Sequence, residues 1–382
     1  MRLINFNQLK DPFLVARDST AIRYVNDCIE ASGIEAIHNV ETGMLLLDTG
    51  TYQFPVSLNK GDERTDNSYV VSPLTTYTVY AKDELTRMRW PWLTWPLVWL
   101  INGIGILLKA AQIDKLVQVN NWLLSTNLYP SNWCGADIPE ITNLLVTTYP
   151  EHAIAFRSLN HFSNAVLFKR LRLLGFVPVP SRQVYLFDAR DGARASFLDH
   201  HNTRIDANFL SRTSYKIFHG HELSDKDFPR LEQLYNLLYL DKYCQLNPQF
   251  SADWLRCGQR DGWLQLRVLR TTEGRIDGVL GWFSNEQIMT APIVGYDTAL
   301  PKKLGLYRLL TQMCLQEAVS RQCLLNFSSG AAHFKRLRGG QPEIEYSMVY
   351  VQHLSTRRRL VWSLLSCLLC KIGVPMMRSF KL

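Results

Sequence analysis

The pentapeptide Phe-Lys-Arg-Leu-Arg occurs at 168–172 and again at 334–338. Each copy follows an apolar run ending at serine, Ala-Ile-Ala-Phe-Arg-Ser at 153–158 and Cys-Leu-Leu-Asn-Phe-Ser-Ser at 323–329. Each precedes a strand-like segment, 182–187 and 345–351, with Phe168 standing 17 residues before Tyr185 and Phe334 standing 16 before Tyr350. Five residues recur by chance easily; a strand–helix–strand setting recurring with them restricts the chain to folds with two related halves. A length of 382 residues, more than one core usually serves, agrees. The halves are expected at 1–190 and 200–354, followed by a basic amphipathic tail, 355–382.

Periodicity predicts a helix at 20–32 and strands at 43–56 and 68–80, then helical segments over 82–127 and a helix at 137–148. The first repeat unit reads strand 153–158, helix 162–174 and strand 183–188, with Gly175 at a helix-ending position. A polar junction at 189–202 leads to a strand at 203–218. Ser224-Asp-Lys-Asp227 has the form of a capping box opening a helix to 242, and a shorter helix fits 250–258. Strands at 263–270, 275–284 and 287–297 follow, the first two joined through Thr272-Glu-Gly274. Leu306, Leu309, Leu310, Met313 and Cys314 then mark one buried helix face. The order describes an α/β (α+β) fold, each half a mostly antiparallel sheet flanked by helices.

The eight cysteines have no paired metal-ligand spacing, which reads as a reduced, intracellular protein. Cys367-Leu-Leu-Cys370 is CxxC in form only, inside an apolar helical run. His200-His201 and His219-Gly-His221 lack carboxylate or thiol companions, so no metal is expected. The N-terminal residues lack signal-peptide character.

Net charge is +8, and the last 28 residues hold Arg357-Arg358-Arg359, Lys371, Arg378 and Lys381 without an acid. Around the apolar run 360–377 this suits either an anionic membrane surface or a helix docked on the body. Residues 91–108 are uncharged, with Trp90, Trp92, Trp95 and Trp99 at one end. Pro91, Pro96, Gly103 and Gly105 favour a helix lying in the interfacial zone over a spanning one; a buried helix between the halves is the alternative. The C-terminal basic residues interleave with aliphatics instead of a stacking aromatic surface, which argues against nucleic acid as partner.

The strand-to-helix turn at 297–307 is a candidate phosphate cradle. Lys302 and Lys303 supply charge, Gly305 permits close backbone approach, and the helix N-terminus that opens there presents unpaired N–H groups. In this setting Lys302-Lys-Leu-Gly305-Leu-Tyr307 resembles the acyl-CoA-binding turn of the GNAT acyltransferase superfamily, with lysine for the usual first Arg or Gln and tyrosine for the last small residue. The duplication, together with Tyr235–Tyr243 and Asn247-Pro-Gln-Phe250, resembles the tandem branch that includes Fem-type aminoacyltransferases and related polysaccharide or lipid acyltransferases. The resemblance covers 200–350, and the N-terminal half through the repeat.

That resemblance implies acyl transfer from acyl-CoA, or from an acyl carrier protein, to an amine or hydroxyl of an amphipathic or membrane-linked acceptor at the cytoplasmic face. It implies a splayed sheet between 287–297 and 323–328. Asp297, Tyr296 and His333 are the candidates for proton handling. Lys302, Lys303, Gly305 and Tyr307 are the donor-binding set; Lys242, Tyr243, Asn247, Ser328, Ser329 and Lys335 form the acceptor side. Lys169 and Arg170 are internal controls for Lys335 and Arg336, because a basic pair in both halves also suits a solvated helix face. Alternatives are an aminoacyl-tRNA donor, against which the lack of a heptad-repeat arm counts, and a membrane-docked scaffold without activity.

Overall fold

Each half lays down four antiparallel strands, adds a fifth parallel to the fourth, and sends its sixth strand into the other half. This architecture is seen in a computed structural model that describes residues 1–5, 8, 19–30, 36–64, 66–86 and 91–380. The strands are β1 (Arg2–Ile4), β2 (Gly43–Asp48), β3 (Gln53–Asn59), β4 (Leu116–Val119), β5 (Ala153–Leu159), β6 (Val177–Asp188), β7 (Lys216–His219), β8 (Gln265–Arg270), β9 (Ile276–Asn285), β10 (Ile288–Tyr296), β11 (Leu324–Asn326) and β12 (Gln341–Tyr350). They form one 12-stranded sheet in the order β1-β2-β3-β4-β5-β12-β6-β11-β10-β9-β8-β7. Exchanging β1–β6 with β7–β12 returns the same order, so the sheet carries a pseudo-two-fold axis between β12 and β6.

The helices are α1 (Thr20–Glu30), α2 (Pro73–Thr75), α3 (Ala81–Thr86), α4 (Pro91–Ala110), α5 (Ile138–Thr148), α6 (Ala165–Leu173), α7 (His201–Ser211), α8 (Phe228–Tyr239), α9 (Ala252–Arg260), α10 (Leu306–Ser320), α11 (Ala332–Arg336), α12 (Thr356–Leu368) and α13 (Val374–Phe380). π-helical turns, Thr76–Tyr80 and Leu369–Gly373, join α2 to α3 and α12 to α13. The two pentapeptides fall on α6 and on α11 with the turn after it, each just ahead of an exchanged strand.

The exchange fuses the halves. β12 pairs with β5 and β6, and β6 also pairs with β11. At the axis Arg182 faces Glu345 across the β6–β12 ladder, Nε to Oε1 3.0 Å, with side chains 12% and 2% exposed. Arg182 also donates to Thr126 Oγ1 and to the Ser125 carbonyl. Burial penalises the guanidinium, but the Glu345 carboxylate beside it holds its pKa above the ordinary value. A buried cluster joins the halves as well, packing Tyr24, Val70 and Trp122 with Tyr235, Trp254 and Ile293.

Four expectations fail. Residues 43–56 are not one strand but the hairpin of β2 and the start of β3, with 49–52 as its turn. Residues 68–80 are turn and helix, not strand: Ser72 Oγ accepts from the Thr75 N–H at 3.0 Å, Pro73 sits in the first turn, and Asp114 accepts from the Leu74 N–H at 2.8 Å. Their β-branched residues had suggested strand. The helical reading of 82–127 overran α4, because Leu116–Val119 is the buried strand β4, a short apolar run that periodicity cannot separate from helix. Residues 203–218 are α7 followed by the four-residue β7. The expected capping box is present, with the Ser224 N–H and Oγ bonded to Asp227.

Replacing Glu345 with alanine strands a buried guanidinium and should lower unfolding free energy by about 3–5 kcal/mol in urea titration, whereas Arg182→Met with Glu345→Leu should cost far less than the single change.

Candidate active site

The two parallel strand pairs mark the same place in each half. β4 and β5 pair from Leu116↔Ala153 to Val119↔Phe156. β10 and β11 pair at Ile288↔Leu324, Met289↔Leu325 and Thr290↔Asn326 and then part, while the β9–β10 register breaks between Thr290 and Ile293. Past each parting point the chain turns through a left-handed serine, Ser158 at φ +64° and Ser328 at φ +56°. Non-glycine residues hold that conformation only where the surroundings impose it. These serines end the two apolar runs that precede the pentapeptides.

Beyond this the halves differ. In the N-terminal half Arg157 turns into the parting, donating to the Val70 carbonyl at 2.7 Å and Asn121 Oδ1 at 3.0 Å. The space left there is about 50 Å³. In the C-terminal half Phe327 follows β11, and the parting opens into a cavity of about 480 Å³. One wall is α4, through Leu97, Leu100, Ile101 and Ile104; another is the α12–α13 run, through Leu365, Leu369, Ile372 and Met376. Both sets have helical spacing. Both π-helical turns line the cavity too, as do Tyr69 and Arg182; such turns recur at functional sites. Arg358 fastens the two walls, its guanidinium donating to the Ala111 carbonyl at 2.9 Å and the Gln112 carbonyl at 3.1 Å beyond the C-terminal end of α4.

Of the residues expected from sequence, Tyr243, Asn247, Tyr307, Ser328, Ser329 and Lys335 all border this cavity. Lys335 is 3% exposed, whereas its counterpart Lys169 on α6 is exposed. Its Nζ donates to three consecutive carbonyls, Phe327 at 2.5 Å, Ser328 at 3.2 Å and Ser329 at 2.8 Å. Burial lowers its pKa to about 7. Tyr307 stands against Phe334, ring centroids 4.8 Å apart, and burial raises its phenol well above the usual range. Asn247 ties the end of α8, donating to the Tyr239 carbonyl at 3.0 Å and the Cys244 carbonyl at 2.9 Å.

The remaining candidates lie apart from the cavity lining. Asp297 Oδ2 accepts from Arg230 Nη2 at 2.8 Å, and its Oδ1 accepts from the Ala299 N–H. Tyr296 accepts from Lys242 Nζ at 3.3 Å. His333 is exposed on α11, and Lys302 and Lys303 are exposed in a 3₁₀ turn, Lys302–Leu304. Gly305 has φ +58°, and a Cβ there would meet Phe209 Cε1 at 2.6 Å. Glycine is thus required by conformation and by the ring of α7 packed over it. Sequence reading missed Arg182 and the tyrosines of the first π-helical turn; a lone arginine inside the apolar strand β6 was the available signal.

No family model matches the sequence, and no curated protein sequence matches it. Solved structures do. FemX matches at TM-score 0.52 over 89% of this chain and 93% of that one, with 6% identity. The C-terminal domain (DUF2156) of a putative lysylphosphatidylglycerol synthetase from Agrobacterium fabrum matches at TM-score 0.43 over 62% of this chain and 78% of that one, with 14% identity. A tandem GNAT protein from the clavulanic acid biosynthesis pathway matches at 0.36 over 62% and 74%, with 10% identity. The fold is that of FemX. The parted β10–β11 pair is the splay expected between 287–297 and 323–328.

Gly305→Ala strains a left-handed residue and presses on Phe209, so it should cost about 1–3 kcal/mol in thermal unfolding. The Lys335 pKa predicts a second result. Between about pH 7 and the unfolded lysine value near 10.5 the unfolded chain holds a proton that the folded chain has released. Stability relative to Lys335→Met should therefore rise with pH across that window, and a flat difference would refute the lowered pKa.

Proposed function

We propose that the protein is an acyltransferase of GNAT type whose active site is the cavity of the C-terminal half, with 1–190 as the supporting half and 355–382 as part of the site's wall. The observation that carries this is the asymmetry of the two partings: one is plugged by Arg157, the other opens between two apolar helices onto Tyr307, Ser328, Ser329 and Lys335. Apolar walls ending at a small polar patch suit an acyl chain whose reactive carbonyl sits at the patch. The donor is then an acyl thioester on CoA or a carrier protein, and the acceptor an amine or hydroxyl of an amphipathic molecule.

The outer faces of the same two helices support a place on a membrane surface. Trp95, Trp99 and Ile106 on α4 are 73–74% exposed, and Leu360 and Leu364 on α12 are exposed beside Arg357, Arg359, Lys371 and Arg378. Trp90 lies outside the described residues, as do Arg87 and Arg89, and only the backbone of Trp92 is described. The run Thr356–Ser379 is long and apolar enough to cross a bilayer by length and composition. Its inner face is engaged instead: Ser366 Oγ bonds the Pro178 carbonyl at 2.6 Å, and Trp362 is buried. Aromatic and aliphatic side chains at the surface with cations beside them fit an interfacial position on an anionic leaflet, the cytoplasmic one in this reading.

Palmitoyl-CoA should bind saturably by calorimetry, and Ser329→Trp, which fills the cavity beside Lys335, should weaken it at least about tenfold, the cost of a lost pocket contact. Equal binding by the variant would refute the assigned cavity. Turnover abolished by ribonuclease would instead point to an aminoacyl-tRNA donor, the type of donor used by Fem-type enzymes. Trp95→Ser with Trp99→Ser should also lower sedimentation with phosphatidylglycerol vesicles, leaving thermal stability nearly unchanged.

A further inference from the structure

Acyl transfer bonds the acceptor's nitrogen or oxygen to the thioester carbon and moves the carbonyl π pair onto oxygen. Collapse of that intermediate breaks the C–S bond, and the departing thiolate gains the acceptor's proton through water. The oxygen needs hydrogen-bond donors fixed in advance. Strand β10 borders the cavity with Pro292, which has no N–H, inside the register break between Thr290 and Ile293. The strand therefore lacks a donor at that residue.

Across the cavity, the segment between β11 and α11 holds Ser328, Gly330 and Ala331 at φ +56°, +77° and +47°. Lys335 gathers the carbonyls of Phe327, Ser328 and Ser329 on one side of it. In a trans peptide the N–H points opposite to its carbonyl, so the amides of Ser328, Ser329 and Gly330 are turned away from the Lys335 nitrogen. The Ser328 N–H is engaged by Asn326 Oδ1 at 3.0 Å. Among the described residues those of Ser329 and Gly330 meet no protein acceptor, and both residues line the cavity. The N-terminal half shows the contrast. There Asn160 Oδ1 accepts from the Ser163 N–H at 2.8 Å, Asn164 Oδ1 accepts from the Asn160 N–H at 3.4 Å, and Lys169 is exposed. One copy of the repeat caps its own loop; the other draws the carbonyls to a buried lysine and leaves two amides free.

We propose that the Ser329 and Gly330 amides are the oxyanion-binding pair of this enzyme and that Lys335 is the positioning residue that aims them. The inference rests on the acyl-transfer reading of the cavity. It gives the second Phe-Lys-Arg-Leu-Arg a role that the first does not have.

The test compares wild type, Lys335→Met and Lys335→Arg with palmitoyl-CoA as donor and octylamine as acceptor, following thiol release. Lys335→Met keeps the volume but donates nothing. Its kcat should fall about 10²–10³-fold, as for loss of an oxyanion donor, with KM for palmitoyl-CoA changed by less than about threefold. Lys335→Arg should recover part of kcat. Amide hydrogen exchange at Ser329 and Gly330 should quicken at least about tenfold in Lys335→Met, while exchange in the β6–β12 ladder stays as in wild type. Unchanged kcat overturns the proposal. A fallen kcat with unchanged exchange also overturns it, because Lys335 would then act on substrate directly. If wild type turns over no acyl thioester, the acyl-transfer reading fails and takes the oxyanion assignment with it. Exchange at the two amides still decides whether Lys335 positions the loop.

Discussion

The β6–β12 ladder is the interaction on which the rest of the molecule depends. Each half has given away its last strand, so neither half's sheet is complete without the other's. Twelve strands thus share one hydrogen-bonded sheet, and at its centre a buried guanidinium and carboxylate face each other in register. Such a pair adds little net stability over apolar residues of the same shape, yet either member left alone is costly. It penalises any register of β6 against β12 that separates the two charges. Because β11 is hydrogen-bonded to β6, that register also sets where β11 stops and where the cavity begins.

Duplication supplied two partings, and side chains have treated them differently. In the first, Arg157, on β5 just past its last pairing with β4, reaches two acceptors inside the protein. In the second, a phenylalanine follows, and the polar contact comes from Lys335 one helix later. The same pentapeptide therefore sits on a solvated helix face at α6 and delivers a buried lysine at α11. Local sequence at the lysine is identical in the two copies; the difference is what each loop has to satisfy. Asparagine side chains take the Asn160 and Ser163 amides in one half; in the other Asn326 takes that of Ser328, and those of Ser329 and Gly330 meet no protein acceptor among the described residues.

The two apolar helices show how composition and tertiary structure divide the work. Their apolar composition, the tryptophans of α4 and the cations of the C-terminal run suit a membrane surface or a helix docked on the body alike. In the fold each has a second, inward face with helical spacing that walls the cavity, and Arg358 fastens one to the other. Cavity wall and outer apolar surface are then opposite sides of the same helices, which fits the proposed acyltransferase taking an amphiphile from a lipid surface.

Sequence by itself determined the duplication, the mostly antiparallel α/β plan, the strands β8–β12, the capping box that leads into α8 and a polar set at the end of the second repeat. Those follow from local periodicity, capping chemistry and self-similarity, which act over a few neighbours along the chain. It did not disclose strand exchange, because pairing partners for β6 and β12 lie more than 150 residues apart and alternation is the same whichever neighbour a strand takes. Nor did it separate Lys335 from Lys169, or show that Gly305 answers to Phe209 as much as to any ligand. Tertiary structure decided these, since burial, a shared acceptor set and the space left at a parted strand pair belong to the whole packing and to no single stretch of residues.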